Sequence, residues 1–132
     1  MKLRTDANKR TENELNTTPT FDHIAFNVPD LDAQIERLTG HLGMVVRIRT
    51  DHFAIVADPA SGLTFELGRS DDGQVHFRHL GFRTNDVDRA HAALVEAGMG
   101  VVQPPHRRDF ARMYTSFLEQ PGGVEVQLVK YD

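Results

Sequence analysis

The chain contains no cysteine among its 132 residues, which excludes disulfide bonds, thiolate metal sites and cysteine nucleophiles. It also has no tryptophan and only two tyrosines, so a pocket that stacks aromatic rings on a flat ligand is disfavoured. No apolar run approaches the roughly 20 residues of a membrane span, and the first residues lack the apolar segment of a signal peptide. We therefore expect a cytoplasmic protein without a membrane partner.

Basic residues are in deficit, with 15 Lys and Arg against 19 Asp and Glu, and the net charge of -4 argues against nucleic-acid binding. The composition, 39% hydrophobic and 26% charged, is typical of a soluble globular protein, and 132 residues suffice for one domain with its own core. Residues 1–20 are polar and almost without large apolar side chains, so we predict a flexible N-terminal tail followed by a single domain over residues 21–132.

Two segments of the chain are closely similar to each other. HIAFNVPDLD begins at His23 and HLGFRTNDVD begins at His79, so one histidine, one phenylalanine and two aspartates recur at a constant offset of 56 residues. Each copy is followed by a strand-like run with a glutamate inside it, Glu66 in the first half and Glu125 in the second. An internal repeat of this size indicates that one supersecondary unit is doubled, with the two histidines and the two glutamates in equivalent places.

Hydrophobic spacing predicts the order strand, helix and three strands in each half, which is an α+β fold built from two tandem βαβββ modules at residues 21–69 and 76–130. Asp30 is the predicted N-cap of the first helix, which we expect at about residues 33–42, and the second helix is expected at about residues 87–97. Alternation along the strands predicts that the histidines and glutamates face away from the large apolar side chains. Residues 104–110, rich in Arg and His, are expected to form either a lid or a long surface loop.

At these residues the sequence resembles the vicinal oxygen chelate superfamily, which includes glyoxalase I, methylmalonyl-CoA epimerase, fosfomycin-resistance proteins, extradiol dioxygenases and bleomycin-binding proteins. The resemblance rests on the paired modules, the two repeated openings, the HLGM and EAGM helix ends and the closing EQPGGVEVQL. It covers about residues 21–129 and implies that two curved half-sheets form a cup around a metal ion. It also implies a homodimer, because related two-module chains often pair.

The resemblance further implies that the first and fourth strands of each module supply the metal ligands. Carried over residue by residue, these are His23, Glu66, His79 and Glu125. The pattern is most similar to glyoxalase I, whereas methylmalonyl-CoA epimerases usually carry Gln where this chain has Glu66. Two imidazoles and two carboxylates suit one divalent ion, namely zinc, nickel, cobalt, manganese or ferrous iron.

An ion held in this way would be a Lewis acid toward a small substrate with adjacent oxygens and would stabilise an enediolate. Because the two glutamates are pseudo-symmetric, either could take the α-proton, or one could abstract it and the other return it. Glu125 is the favoured ligand and candidate general base, with Glu66 as its catalytic partner. The leading functional hypothesis is therefore a metal-dependent lyase or isomerase of the glyoxalase type.

Several strand residues are candidates for substrate binding. An anionic substrate would be bound bidentately by guanidinium groups on the cup wall, and the alternative is that these arginines only keep exposed strands soluble. The candidates are Arg47, Arg49, Arg83, Arg112 and Tyr114.

Two other functional classes stay open. A metal-free protein that sequesters an antibiotic would resemble the bleomycin-resistance members, which usually lack the full ligand set. A ring-cleaving oxygenase would need ferrous iron held by two histidines and one carboxylate. His23, His79 and Glu125 would suffice for such a site, and Glu66 would then be surplus.

Overall fold

The computed structural model describes residues 18–132, so residues 1–17 of the predicted tail lie outside the described part. Neither helix within residues 18–132 has the length and apolar character needed to cross a membrane. The helices are α1 (Leu31–Gly40) and α2 (Val87–Glu96). The strands are β1 (Thr20–Val28), β2 (Val45–Arg49), β3 (Phe53–Ala57), β4 (Thr64–Arg69), β5 (His76–Arg83), β6 (Gly100–Arg108), β7 (Met113–Glu119) and β8 (Glu125–Tyr131).

All eight strands join one curved, open sheet in the order β2-β3-β4-β1-β5-β8-β7-β6. Each module follows the predicted order of strand, helix and three strands, and the α+β fold class is confirmed. The two modules meet where β1 pairs antiparallel with β5. Within its own module β1 pairs parallel with β4, and β5 pairs parallel with β8. The two repeated segments that open the modules therefore lie side by side at the centre of the sheet.

The same local signals begin both helices. The side chain of Asp30 accepts a hydrogen bond of 3.0 Å from the backbone N–H of Ala33, and Asp86 accepts one of 3.0 Å from Arg89. A carboxylate at this position satisfies one of the N–H groups that a helix leaves unpaired at its start. The repeated aspartates are therefore N-caps, as predicted for Asp30.

The two helices cover one face of the sheet and leave the other free for the site. Each helix buries its apolar stripe against the strands of its own module, so the core consists of two clusters. The first contains Val28, Leu31, Ile35, Leu38, Met44, Ala54, Val56 and Leu67. The second contains Val87, Ala90, Leu118 and Leu128.

One sequence expectation about the second module is corrected by the structure. Pro104 to Arg108 belong to β6, and His106 to Arg108 pair with β7, while the two prolines fall at a register shift, so most of the expected loop is a strand. Proline is tolerated there because β6 is an edge strand, and an N–H on its open side has no strand to bond to. β5 begins three residues before the repeated segment, at His76, which pairs with Asn27.

Candidate metal centre

Three of the four predicted ligands converge on the face of the sheet opposite the helices. One donor atom each from His23, Glu66 and His79 lies within 4.8 Å of the others. The Nε2 atoms of the two histidines are 3.2 Å apart, and Nε2 of His23 is 3.3 Å from Oε2 of Glu66. Both histidines are buried, while the Glu66 side chain retains 23% exposure and is the accessible side of the group.

The central strand pair brings the two histidines together across the boundary between the modules. His23 on β1 pairs with Gly81 on β5, and His79 pairs with Ala25. A small residue thus lies opposite each imidazole. At Gly81 the absence of a side chain is essential, because a Cβ there would lie 2.5 Å from Nε2 of His23 and closer still to Cε1 and Nδ1. The His23 imidazole therefore rests directly on the backbone of β5.

A buried carboxylate orients the first histidine. Asp22 Oδ2 lies 2.8 Å from Nδ1 of His23 and also accepts a hydrogen bond of 2.6 Å from the Tyr131 hydroxyl. An imidazole that donates Nδ1–H to a carboxylate presents its Nε2 lone pair to the other side. Partners of this kind commonly fix the orientation of metal-binding histidines. Asp22 and Tyr131 thus aim Nε2 of His23 at the donor group.

The pKa shifts of the two histidines have opposite signs, so one imidazole is protonated at neutral pH and the other is neutral. Burial alone would lower the pKa of His23, but its hydrogen bonds to Asp22 and Glu66 outweigh burial and raise that pKa to about 9. Burial lowers the pKa of His79 to about 4, so the second imidazole stays neutral. Burial would raise the pKa of Glu66, yet contact with His23 lowers it. The carboxylate therefore stays ionised beside the imidazolium.

The geometry of these groups fits a divalent ion. Bonds of about 2.1 Å to N and O donors place neighbouring ligand atoms about 3.0 Å apart in an octahedron and about 3.4 Å apart in a tetrahedron. Two of the observed separations, 3.2 and 3.3 Å, lie between these values, and the third pair of donor atoms, on His79 and Glu66, is within 4.8 Å. A buried acceptor also lacks a hydrogen-bond partner in residues 18–132, namely Oε1 of Gln127 on β8. Gln127 lies close enough to His79 to raise its pKa against the effect of burial, and its amide oxygen is a suitable neutral fourth donor.

The register of β8 corrects the predicted equivalence of the two glutamates. In the first module Ala25 pairs with Glu66, and in the second module the matching partner of Gly81 is Gln127. Glu125 comes two residues earlier on β8, on the same face, and it is not one of the three grouped donors. Its role as a ligand or a base therefore stays a prediction. The sequence repeat does not reveal Gln127, because its amide lacks the negative charge of Glu66.

Comparisons with known proteins agree with this architecture. A sequence profile of the Glyoxalase/Bleomycin resistance protein/Dioxygenase superfamily matches residues 20–128. The chain belongs to this superfamily. Methylmalonyl-CoA epimerases with a similar structure are members of the vicinal oxygen chelate superfamily, so the predicted membership of that superfamily is confirmed.

Among solved structures, methylmalonyl-CoA epimerase from Mycobacterium tuberculosis is similar at 28% identity, over 89% of this chain and 90% of that one, with a TM-score of 0.70. A Streptomyces coelicolor methylmalonyl-CoA epimerase variant in complex with 2-nitronate-propionyl-CoA shares 24% identity over 87% and 98% of the chains, with a TM-score of 0.69. A hypothetical protein from Bacillus halodurans shares the fold at 16% identity, over 87% and 96% of the chains and with a TM-score of 0.69. No curated protein sequence matches the chain.

Two of the predicted substrate residues lie on the helix face of the sheet. Arg49 pairs with Ala54 of the first core cluster and forms an ion pair with Asp32 of α1. The cause is a bulge in β2 between Val46 and Ile48, which shifts the alternation. The Tyr114 hydroxyl donates a hydrogen bond of 2.7 Å to Asp88 of α2.

The other three predicted substrate residues are exposed and lie outside the donor group. Arg47 is located at the β2 bulge. Arg112 has a left-handed backbone with φ of 52° at the turn before β7. Arg83 approaches the Asp22 carboxylate to 3.9 Å and lines a separate cavity of about 340 Å³ at the end of β5.

In the second module, alternate side chains of β7 border the donor group. Gln127 Nε2 donates to Thr115 Oγ1 at 3.0 Å, and Phe117 makes an edge contact with His79 at 5.4 Å between ring centroids. The guanidinium of Arg108 lies over the Phe117 ring, 4.9 Å from its centroid. Arg108 also donates to His106 and Gln103 on its own strand, which leaves its charge without a carboxylate partner in this network.

Proposed function

We propose that this chain is a metal-dependent isomerase that moves a proton on a carbon next to a carbonyl group of a small oxygenated substrate. The observation that carries the proposal is the convergence of His23, Glu66 and His79, with an unpaired amide oxygen of Gln127 beside them. A divalent ion, when bound there, would supply a Lewis acid for negative charge on a substrate oxygen. The similarity to methylmalonyl-CoA epimerases at 28% identity supports a reaction of the isomerase class.

Glu125 is the proposed general base. The parallel pairing of Leu80 with Val126 places Glu125 next to His79 along the two strands, on the face that carries the donor atoms. Its carboxylate is not part of the three-donor group, so it is available for proton transfer. Glu66 is then a ligand whose negative charge offsets that of the ion. It also lies at the accessible side of the site, where it is the candidate partner that returns the proton.

The test separates metal binding from proton transfer. The parent, Glu66→Gln and Glu125→Gln proteins are loaded with zinc, nickel, cobalt, manganese or ferrous iron, and bound metal is measured by mass spectrometry. Exchange of the α-proton is then followed by NMR in deuterated water with hydroxyacetone and methylmalonyl-CoA as probes. We expect Glu66→Gln to lose the ion, and Glu125→Gln to keep it while exchange slows by about 10²–10⁴-fold. A parent protein that binds none of these ions would refute the proposal.

A second candidate function follows from the same group of donors. Two histidines and one carboxylate, with the remaining ligand neutral, are the donors of non-haem ferrous oxygenases. Because the three grouped donors contain only one carboxylate, Glu66 takes the place that the sequence had assigned to Glu125 in such a site. Oxygen uptake by the iron-loaded protein with catechol would favour this reaction. Proton exchange without oxygen uptake would favour the isomerase.

We also propose that the chain forms a homodimer, as its family resemblance implies. β2 is an edge strand, and its apolar residues Val45, Val46 and Ile48 are exposed by 37%, 42% and 49%. Unpaired edges of this kind commonly associate with a second chain. Light scattering should give about twice the 14.9 kDa of one chain. A mass equal to that of one chain would exclude the dimer.

A further inference from the structure

The central strand pair contains two bulges at equivalent places. Between β1 and β5 the register shifts once between Phe21 and His23 and again between Ala25 and Phe26. The first shift leaves Asp22 as the extra residue, and the second leaves Arg78. These positions are 56 residues apart, which is the offset of the sequence repeat, and each directly precedes a histidine of the donor group. Bulges often turn a side chain toward a functional site.

The two bulged residues have opposite charges and different surroundings. Asp22 is held by His23 and Tyr131 and its side chain is only 14% exposed. Arg78 is exposed, and within residues 18–132 no carboxylate forms an ion pair with it. The first bulge therefore supplies a carboxylate that is already used, whereas the second supplies a cation without a protein partner.

The guanidinium of Arg78 extends over the sheet next to Glu66. Its Nη1 atom is 3.7 Å from the point where a Cβ on Gly68 would stand, and Gly68 follows Glu66 by two residues on the same face of β4. A free guanidinium thus lies at the side where Glu66 leaves the donor group accessible.

We propose that Arg78 binds a carboxylate group of the substrate while the substrate's neighbouring oxygen reaches the donor group. This inference rests on the proposed function, since it assigns the substrate to the carboxylate-bearing compounds. An ion at the donor group and the guanidinium repel each other, and an anion placed between them removes that repulsion. Arginine is also suited to the role because its planar fork matches both oxygens of a carboxylate. Arg78 is therefore a specificity-determining residue.

The experiment compares two probes of similar size. Pyruvate carries a carboxylate next to a carbonyl group, and pyruvamide carries a neutral amide in the same place. Binding of each probe is measured by calorimetry with zinc-loaded and with metal-free protein, for the parent, Arg78→Gln and Arg78→Lys. We expect Arg78→Gln to lose about tenfold in pyruvate affinity, the loss of one charge-assisted hydrogen bond, with less than a twofold change for pyruvamide. Arg78→Lys should recover part of the loss.

Arg69→Gln is the matched control. It removes the same charge from β4, but Arg69 lies on the helix side, where it contacts Asp32 and the backbone of Asp51. Its pyruvate affinity should equal that of the parent. Equal losses in Arg69→Gln and Arg78→Gln would mean a general charge effect and would overturn the inference. So would a loss confined to Arg108→Gln, which removes the cation that lies over the Phe117 ring.

The metal-free titration keeps this test separate from the proposed function. Failure of the protein to bind zinc and each of the other four ions would refute the metal proposal, while the difference between metal-free parent and metal-free Arg78→Gln would still decide the role of Arg78. Zinc binding with unchanged pyruvate affinity in Arg78→Gln would refute only the inference about Arg78. Unfolding temperatures of Arg78→Gln and Arg78→Lys should match that of the parent, because Arg78 is exposed.

Discussion

Substitution of Gly81 by Ala would place a methyl group in the volume that the His23 imidazole occupies. The new Cβ would lie 2.5 Å from Nε2 and closer still to Cε1 and Nδ1. Ordinary contacts between such atoms are about 3.5 Å or more, so the ring must move by at least 1 Å. That movement would break the bond of 2.8 Å to Asp22 and the approach of 3.2 Å to His79.

Two effects of Gly81→Ala can be measured. A misplacement of about 1 Å in an active site lowers the reaction rate on the order of 100-fold. We expect metal affinity to fall by a similar factor or more, because a metal ligand is equally sensitive to its position. Overpacking a buried site should also cost about 1–3 kcal/mol in the free energy of unfolding. Metal affinity is measured by competition with a coloured chelator, and stability by urea unfolding of the metal-free protein.

Two controls make the result specific to His23. Gly100→Ala introduces the same methyl group into β6, where the nearest atom is the Glu119 carbonyl oxygen at 3.9 Å, and it should leave both quantities near parent values. Ala25→Gly removes the methyl group opposite His79, and it should lower stability by about 1 kcal/mol while metal affinity is retained. Parent-like metal affinity in Gly81→Ala would refute the ligand role of His23.

Asp22→Asn should lower metal affinity about 10- to 100-fold, because the amide no longer holds Nδ1–H of His23 as a carboxylate does; unchanged affinity in a chelator competition would contradict this orientation. Gln127→Glu should tighten metal binding by adding a charged donor beside His79, and it should destabilise the metal-free protein because the new carboxylate is buried; thermal unfolding with and without EDTA checks both signs. Zinc at 100 times its dissociation constant should stabilise the parent by about 2.7 kcal/mol and leave Glu66→Gln unchanged, and an equal shift in both proteins would argue against this site.

The repeat in the sequence was sufficient to predict the modules, the helix cap at Asp30 and the grouping of three donors. It succeeded because His23 and His79 have the same neighbours in sequence, and the central pairing of β1 with β5 brings those neighbours together. The repeat is imperfect before β8, where Glu125 is the residue that chemically resembles Glu66 but is not its structural equivalent. Aligning the last glycine of each preceding turn, Gly62 with Gly123, would have placed Gln127 opposite Glu66 instead.

The faces of the outer strands could not be predicted in the same way. Alternation fixes which residues share a face, but it does not say which face turns toward the helices. A bulge in β2 placed Arg49 on the helix side, and pairing with β8 placed Tyr114 there too. The bulges at Asp22 and Arg78 have no sequence signal of their own, since they arise from how two strands pair and not from the composition of either strand.

The donor group lies on the boundary where β1 meets β5, so neither half of the chain carries it alone. An ion bound there would be a cross-link between residues 56 positions apart in the chain. It could bind with full affinity only after the two halves have docked in register. The apparent metal affinity would then measure how firmly the halves are joined, and a substitution far from the site that loosens this boundary would be detected as weaker metal binding before the protein unfolds.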